Sequence, residues 1–318
     1  MSRKSLTNNY FDIREHCPAC NSENFKIIYQ KPYDQPPIKE YLEMFYEGKI
    51  KCEYLEGAAY VLCICNNCNL IYQREIPNSF YLEKFYNNWI SPQPRCKPNK
   101  PYYDLGYYSY YAQEIMQMIA FLGKMPSSLS IFDFGMGWGK WALMAKAFGC
   151  ESYGSELSED LITYAKLNGI KIVSWNDIPK YQFDIINTTQ VFEHLSEPLQ
   201  TLKHLKKALK PQGIIKINVP LIPNDLERQL KITDWKSKKS QKFPLNPVAP
   251  LEHLNCFKRK SLIIMAKEAG MEPLVIPIRT QLKYSTDWNG IKRSVLNFLR
   301  PIYRNFLGNY MFFKIIRL

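Results

Sequence analysis

The stretch Asp133-Phe-Gly135-Met-Gly137-Trp-Gly139 decides the fold of this chain. It overlaps the end of Ser130–Phe134, a short apolar run that predicts a buried strand, and it precedes Lys140–Phe148, whose apolar spacing predicts a helix. Glycines at such a junction let the backbone approach a ligand, and one of them is expected to adopt a positive φ. Free N–H groups at the start of the helix would face that ligand.

Strands and helices alternate outward from this stretch. Further strands are predicted at Glu151–Ser155, Ile170–Ser174, Phe183–Thr188 and Ile214–Val219. Helices are predicted at Tyr103–Leu122, Ser158–Leu167, Pro198–Leu209 and Lys260–Ala269. This alternation indicates βαβ units and a mostly parallel sheet.

An acidic residue, Glu156, follows the second of these strands. In a Rossmann-type sheet an acid at this place can accept hydrogen bonds from both ribose hydroxyls of a nucleoside. The dinucleotide-binding motif G-x-G-x-x-G would require its third glycine at position 140, where this chain has Lys140. The pattern therefore favours a nucleoside ligand other than NAD.

Four motifs together resemble the class I methyltransferases in order and spacing, over about Leu129–Met271. They are Asp133–Gly139, Gly154-Ser-Glu156, Phe183–Asn187 with Gln190–Leu195, and Ala208–Gly213. The resemblance is closest to a subfamily that carries an N-terminal zinc module and modifies sugars. This chain departs from the family in having Gln212 where glycine is usual.

The resemblance implies an α/β fold, a Rossmann-like three-layer sandwich with a seven-stranded, mostly parallel sheet. The antiparallel last strand would be Tyr310–Leu318.

It also implies S-adenosylmethionine as methyl donor. The loop residues Asp133, Gly135, Gly137 and Gly139 would hold the methionine part. Glu156 would hold the ribose, Trp175 and Asn176 would flank the adenine, and Gln190 would touch the amino-acid end. These roles are assigned by position in the family pattern.

Two C-x-x-C pairs, Cys17-Pro-Ala-Cys20 and Cys65-Asn-Asn-Cys68, lie in the first hundred residues. Each pair can place two thiolates on one ion, so the two pairs predict a structural four-cysteine zinc site. Cys63 and His16 are competing ligands. We expect a zinc module and proline-rich linker over residues 1–100 and the methyltransferase domain over 101–318.

Methyl transfer to a hydroxyl or a carbon acid requires removal of a proton, for which histidine is suited at neutral pH. The best candidate is His253 with Glu252, which is similar to a Glu-His pair assigned to proton abstraction in sugar C-methyltransferases. The alternative is a histidine that orders its loop or caps the next helix. His194, beside Glu193, is more often structural in the family.

The formal charge of +13 has two interpretations. It reflects either solvated lysines or an anionic partner. The basic, amphipathic segment Ile291–Phe306 could touch a membrane surface, but an inserted helix before the last strand is favoured. No apolar run is long enough to span a membrane, and none follows the first basic residues as in a signal peptide, so a cytoplasmic protein is expected.

Three functions remain open. The first is O- or C-methylation of a nucleotide- or lipid-linked sugar. The second is methylation of RNA or protein, although no focused basic and aromatic run favours nucleic acid. The third is a non-catalytic binding protein that retains the cofactor fold, against which the intact loop and Glu156 argue.

Overall fold

Two compact units make up the chain in a computed structural model, which describes residues 9–85, 89, 105–232, 235, 245–286, 288 and 290–316. The first unit contains Met1–Gln93, Glu193–Pro198 and Pro220–Ile264. The second contains Pro94–Phe192, Leu199–Val219 and Met265–Leu318. The predicted boundary at residues 100 and 101 and the predicted linker over 90–101 lie outside the described residues.

The described residues form strands and helices throughout both units. The strands are β1 (Phe11–Ile13), β2 (Phe25–Pro32), β3 (Ala59–Cys65), β4 (Ile71–Gln73), β5 (Glu75–Pro77), β6 (Ser130–Phe134), β7 (Glu151–Ser155), β8 (Lys171–Ile172), β9 (Phe183–Thr189), β10 (Leu209–Asn218), β11 (Asn255–Cys256), β12 (Met271–Leu274) and β13 (Tyr310–Ile315). The α-helices are α1 (Ile38–Phe45), α2 (Ser79–Lys84), α3 (Leu105–Leu122), α4 (Lys140–Ala147), α5 (Glu159–Leu167), α6 (Pro198–Lys207), α7 (Leu226–Ile232), α8 (Arg259–Glu268), α9 (Ile278–Lys283) and α10 (Ile291–Phe306).

A seven-stranded sheet in the order β12-β13-β10-β9-β6-β7-β8 forms the centre of the second unit. The pairs from β10 through β8 are all parallel. Strand β13 lies antiparallel between β10 and β12. The predicted Rossmann-like, mostly parallel sheet with an antiparallel last strand is therefore confirmed.

Several predicted boundaries differ from the structure. The strand predicted to begin at Ile214 begins at Leu209. The helix α6 ends at Lys207 instead of Leu209, because Leu209 already pairs with Phe183 in the sheet and the register shifts before Ile214. The third parallel strand shortens to Lys171–Ile172, since it is an edge strand that pairs only with β7.

Alternating side chains on β6 serve the two faces of this sheet. Ile131 joins a buried cluster with Ile185 and Ile214, to which α3 and α4 also contribute. The next residue, Phe132, points to the other face and stacks on Phe183 at 4.8 Å between ring centroids. Packing on both faces keeps the central strands in place, so the loops at their carboxyl ends start from fixed positions.

The first unit contains a separate four-stranded sheet in the order β11-β4-β3-β2. Its edge strand β11 comes from the C-terminal half of the chain and pairs antiparallel with β4. The core of this unit is strongly aromatic, with Tyr33, Tyr60 and Tyr81 fully buried. Nothing in the sequence indicated that residues 193–198 and 220–264 would join this unit.

Candidate active site

The glycine loop (Gly135–Gly139) connects β6 to α4 at the carboxyl edge of the parallel sheet. Gly135, Gly137 and Gly139 all have positive φ, at +69°, +53° and +65°, whereas the sequence required it of only one. The amides of Gly135 and Met136 both donate to the carbonyl oxygen of Ser155, at 3.1 and 3.0 Å. These bonds fasten the loop to the end of β7.

The glycines have different surroundings. A Cβ on Gly139 would lie 2.6 Å from Ile170 Cδ1, and one on Gly135 would lie 2.7 Å from Val191 Cγ2. A Cβ on Gly137 would meet nothing within 4 Å. Gly137 therefore borders open space that a ligand can enter. Gly135 and Gly139 must be glycines because other side chains pack closely against them.

Glu156 lies directly after β7 and faces the loop. Its Oε2 accepts a hydrogen bond from the Gly137 amide at 2.9 Å, and its Oε1 accepts one from the Leu157 amide at 2.8 Å. The structure thus brings together two residues that the sequence predicted to share one ligand. A half-buried carboxylate held by backbone donors is well placed to accept hydrogen bonds from vicinal hydroxyls.

Asp133 is buried inside β6, beneath the loop. Its Oδ1 accepts a hydrogen bond from Asn187 Nδ2 at 2.6 Å, and Asn187 in turn accepts one from the Thr189 hydroxyl at 3.2 Å. Burial raises the pKa of Asp133 to about 7, although the bond from Asn187 opposes the rise. The side chain thus links β6 to β9, a role that its position in the sequence did not specify.

The remaining predicted cofactor residues lie at the same edge of the sheet. Trp175 begins a short 3-10 helix, packs near Phe134 and stacks on His204 at 4.1 Å between ring centroids. Asn176 is the exposed residue that follows it. Gln190 is exposed just after β9 and adopts a positive φ of +57°, a strained conformation for a residue with a side chain.

This edge fits S-adenosylmethionine. The space beside Gly137, the carboxylate of Glu156 and the indole of Trp175 offer a cradle, a hydroxyl acceptor and an aromatic surface, which are what a sulfonium nucleoside requires. A cavity of about 420 Å³ opens at the other edge, among residues such as Ser130, Tyr153 and Phe183. That edge holds the amino ends of the strands, whereas ligands of such sheets bind at the carboxyl ends.

The predicted catalytic pair belongs to the first unit, where a buried histidine cluster (Glu193, His194, His253) forms. His253 Nδ1 donates to the Asn246 carbonyl oxygen at 2.6 Å, and His194 Nδ1 donates to the Glu252 carbonyl oxygen at 2.9 Å. In the neutral form, each ring therefore has its lone pair on Nε2. The centroids of the two rings lie 4.8 Å apart. One nitrogen or carboxylate oxygen from each of the three residues lies within 4.8 Å of the others, close enough for a cation to bind all three.

Burial controls the protonation of this cluster. It lowers the pKa of His253 to about 4 and that of His194 to about 3, so both imidazoles are neutral at pH 7. It raises the pKa of Glu193 to about 8, and neither carboxyl oxygen has a hydrogen-bond partner among the described residues. Both imidazoles are therefore in the neutral form that a general base requires, and their lowered pKa values make them weaker proton acceptors than an exposed histidine.

Two buried residues that the sequence analysis missed hold the cluster in place. The Arg14 guanidinium donates to the carbonyl oxygens of Leu195 and Leu254, at 3.1 and 3.2 Å, and thereby joins the segments that carry His194 and His253. Gln73 donates to the carbonyl oxygen of His253 at 3.0 Å. Contacts over such sequence separations leave no local pattern by which they could be found.

The cysteine cluster (Cys17, Cys20, Cys65, Cys68) brings together the two predicted C-x-x-C pairs. The Sγ atoms of Cys17 and Cys68 are 3.5 Å apart, and those of Cys20 and Cys65 are 3.6 Å apart. Tetrahedral zinc with Zn–S bonds of about 2.3 Å would require sulfur atoms about 3.8 Å apart. The thiols thus fit zinc, and the bond from Cys68 lowers the pKa of Cys17 to about 6.

The two C-x-x-C pairs have the same backbone hydrogen bonding and the same turn conformation. The Cys17 amide donates to Ser22 and the Cys65 amide to Leu70, both at 2.9 Å. The residue after each pair, Asn21 or Asn69, has a positive φ of 56° or 62°. Cys63, a competing ligand in the sequence, is buried outside the cluster, and His16 pairs with Glu23 instead.

The parallel sheet with its antiparallel last strand, the glycine loop at its carboxyl edge and the carboxylate after the next strand together define a class I S-adenosylmethionine-dependent methyltransferase. The sequence profile of a family described as a methyltransferase domain matches residues 107–275, which is more than half of the chain. The chain belongs to this methyltransferase family. No curated protein sequence matches it.

Solved methyltransferase structures that resemble this chain share little sequence with it. A candidate sarcosine dimethylglycine methyltransferase from Galdieria sulphuraria is 17% identical with a TM-score of 0.40, over 66% of this chain and 83% of that one. Magnesium protoporphyrin IX methyltransferase from Synechocystis PCC 6803 is 14% identical with a TM-score of 0.43, over 60% and 88%. An amino pentose methyltransferase from Micromonospora echinaspora is 17% identical with a TM-score of 0.31, over 39% and 60%. These values leave the acceptor undetermined.

Proposed function

We propose that this methyltransferase modifies a nucleotide- or lipid-linked sugar, at oxygen or carbon, with His253 as the general base. The observation that carries the proposal is the orientation of His253. Its Nδ1 donates to a backbone carbonyl oxygen, which fixes the ring in a buried cluster with Glu193 and His194. Such an arrangement is what removal of a hydroxyl or carbon-acid proton requires.

The cofactor supplies an electrophilic methyl group on a sulfonium. In our proposal, the glycine loop and Gln190 hold its amino-acid part, Glu156 holds the ribose, and Trp175 with Asn176 flanks the adenine. Asp133, at the end of β6 before the loop, is held by Asn187. Glu252 helps to position His194 beside the base, since its carbonyl oxygen accepts the Nδ1 proton of His194. Only two residues separate Gln190 from Glu193 in the sequence.

We further propose that the cysteine cluster holds one structural zinc ion. Four thiols on two matched turns leave no open coordination position for a substrate. The zinc would order the segment that contains Arg14, three residues before Cys17, and so would stabilise the contacts of Arg14 with both histidine-bearing segments. In chain order, we place this module in residues 1–100 and the methyltransferase domain in 101–318.

The reaction can be tested with S-adenosylmethionine that carries a trideuterated methyl group. The enzyme is incubated with nucleotide-sugar and lipid-linked sugar pools, and products are read by mass spectrometry. We expect the label in a sugar. Label in RNA or protein, with none in the sugar pools, would replace the proposal by the alternative class. No label in any fraction, with no cofactor binding in calorimetry, would indicate a non-catalytic protein.

A further inference from the structure

Helix α10 turns its apolar side away from the second unit. Its apolar side chains between 41% and 86% exposed are Ile291, Val295, Leu296, Phe298, Leu299, Ile302, Tyr303 and Phe306. Three of its polar side chains, Asn297, Arg304 and Asn305, are instead buried. Monomeric proteins seldom expose so large a contiguous apolar face without a partner for it.

Buried polar contacts fix this orientation. Arg304 lies 3.8 Å from Glu114, which also forms a 2.7 Å ion pair with the buried Lys216. Asn305 accepts a hydrogen bond from Gln281 at 3.0 Å. Rotation of the helix to bury its apolar side would leave Glu114 and Gln281 without these partners, at a considerable cost in a dry interior.

The surroundings of the apolar face are basic. Residues 275–318 contain eight lysines and arginines and a single acid, Asp287. Lys292 is exposed on the helix itself, and Arg279 and Lys283 are exposed on α9, which packs beside it. An exposed tryptophan, Trp288, precedes the helix. Bulky apolar side chains, an aromatic flank and positive charge together match the boundary of an anionic bilayer.

We propose that α10 docks the enzyme on an anionic membrane surface, with the helix lying in the plane of the lipid headgroups. The charge favours this partner over a second copy of the chain, because two basic faces would repel each other. No helix within the described parts of the chain is long and apolar enough to cross a membrane, so the contact would be peripheral. The proposal does not depend on the identity of the methyl acceptor.

Flotation of the full-length protein with lipid vesicles tests this inference. One set of vesicles contains phosphatidylcholine alone, and the other contains phosphatidylcholine and phosphatidylglycerol in equal parts. We expect binding to the anionic vesicles to be at least about tenfold stronger, and to weaken in high salt.

The double variant Phe298→Glu/Phe306→Glu should reduce binding to anionic vesicles by about tenfold or more, since it places charge in the apolar face. The matched control is Met125→Glu/Leu167→Glu, which adds the same charge at two other exposed apolar residues. Equal binding by the two variants, or no binding by the natural protein, would overturn the proposal. The proposal would also be overturned if analytical ultracentrifugation showed a dimer that only the Phe298/Phe306 variant loses. The apolar face would then bind a second copy of the chain.

Discussion

At the scale of single residues, Gly137 is the position where a side chain would matter most directly for the cofactor. It has a positive φ, its amide binds Glu156, and the space beside it is open. We predict that Gly137→Asp weakens binding of S-adenosylmethionine by about 100-fold, because its carboxylate would fill the cradle and compete for the amide while its backbone is strained. Isothermal titration calorimetry measures the change.

Gly123→Asp is the matched control for this variant. Gly123 ends α3 with a similar φ of +63°, and a Cβ there also meets nothing within 4 Å. Gly123→Asp introduces the same backbone strain and the same charge outside the glycine loop. Its affinity for S-adenosylmethionine should therefore equal that of the natural protein. Unchanged affinity in Gly137→Asp would remove the loop from the mechanism.

His253 allows the base to be separated from its hydrogen bond to the backbone. Asparagine can reproduce the Nδ1 bond to Asn246 but has no group at the position of Nε2. If Nε2 accepts the substrate proton, His253→Asn should lower kcat by about 100-fold or more while cofactor affinity stays the same. If the histidine only orders its loop, His253→Asn should retain activity and His253→Ala should lose it. Kinetics of label transfer to the identified acceptor distinguish the two.

Asp133 should make stability depend on pH. Burial raises its folded-state pKa to about 7, above the unfolded value, so the folded state binds the proton more tightly. Stability should therefore fall as the pH rises from about 4 to 7, and level off above 7. Asp133→Asn should remove the contribution of Asp133 to this slope, which leaves that of Glu193, and should be the more stable form at pH 8 by up to about 4 kcal/mol. Urea unfolding from pH 5 to pH 8 measures the effect.

Asp177→Asn is the control for this pH profile. Asp177 is exposed, and its hydrogen bond from Lys180 lowers its pKa, so its own titration falls below the tested window. It should keep the slope of the natural protein. A slope in Asp133→Asn equal to that of the natural protein would show that Asp133 does not titrate between pH 5 and pH 8.

At the scale of elements, the two cysteine turns depend on one another. Each turn supplies two thiols, and the strands that carry the second turn also form the sheet of the first unit. We predict one zinc ion per chain in the purified protein and its loss in Cys68→Ser, together with a marked loss of stability, because zinc binding is part of the folding free energy. Elemental analysis and thermal unfolding measure both.

Cys63→Ser provides the comparison for this cysteine variant. Cys63 is buried on β3, the strand that ends at Cys65, but it does not belong to the cluster. It should retain zinc, and its buried hydroxyl should lower only the stability of the protein and not its metal content. Equal zinc in Cys68→Ser and Cys63→Ser, or no zinc in the natural protein, would reject the site.

At the scale of the whole molecule, cofactor binding should stabilise the chain against unfolding. A ligand at 100 times its Kd adds about 2.7 kcal/mol to the folded state, which is a shift of about 5–10 °C in Tm for a domain of this size. We predict such a shift with S-adenosylmethionine or S-adenosylhomocysteine in differential scanning calorimetry. NAD should produce none, since Lys140 replaces the glycine that a dinucleotide motif needs. A shift with NAD alone would contradict the assignment.

The sequence by itself determined the class of protein and most of its parallel sheet. Runs such as Ser130–Phe134 and Glu151–Ser155 became strands with those bounds, and the helix over Ile291–Phe306 formed as predicted. The residues that hold the histidine cluster in place, and the ends of β8 and α6, were less predictable from the sequence. Glycine punctuation and apolar periodicity are local signals, and an edge strand or a helix end depends on which partner competes for its backbone groups.

Only the tertiary structure decided which distant residues meet. It joined β11 to β4, placed Arg14 between the two histidine-bearing segments and turned the apolar side of α10 outward. The sequence of α10 shows an amphipathic helix in either orientation. The buried charges of Glu114, Lys216 and Arg304 decide between them, because leaving a charge unpaired in the interior costs more than exposing apolar side chains.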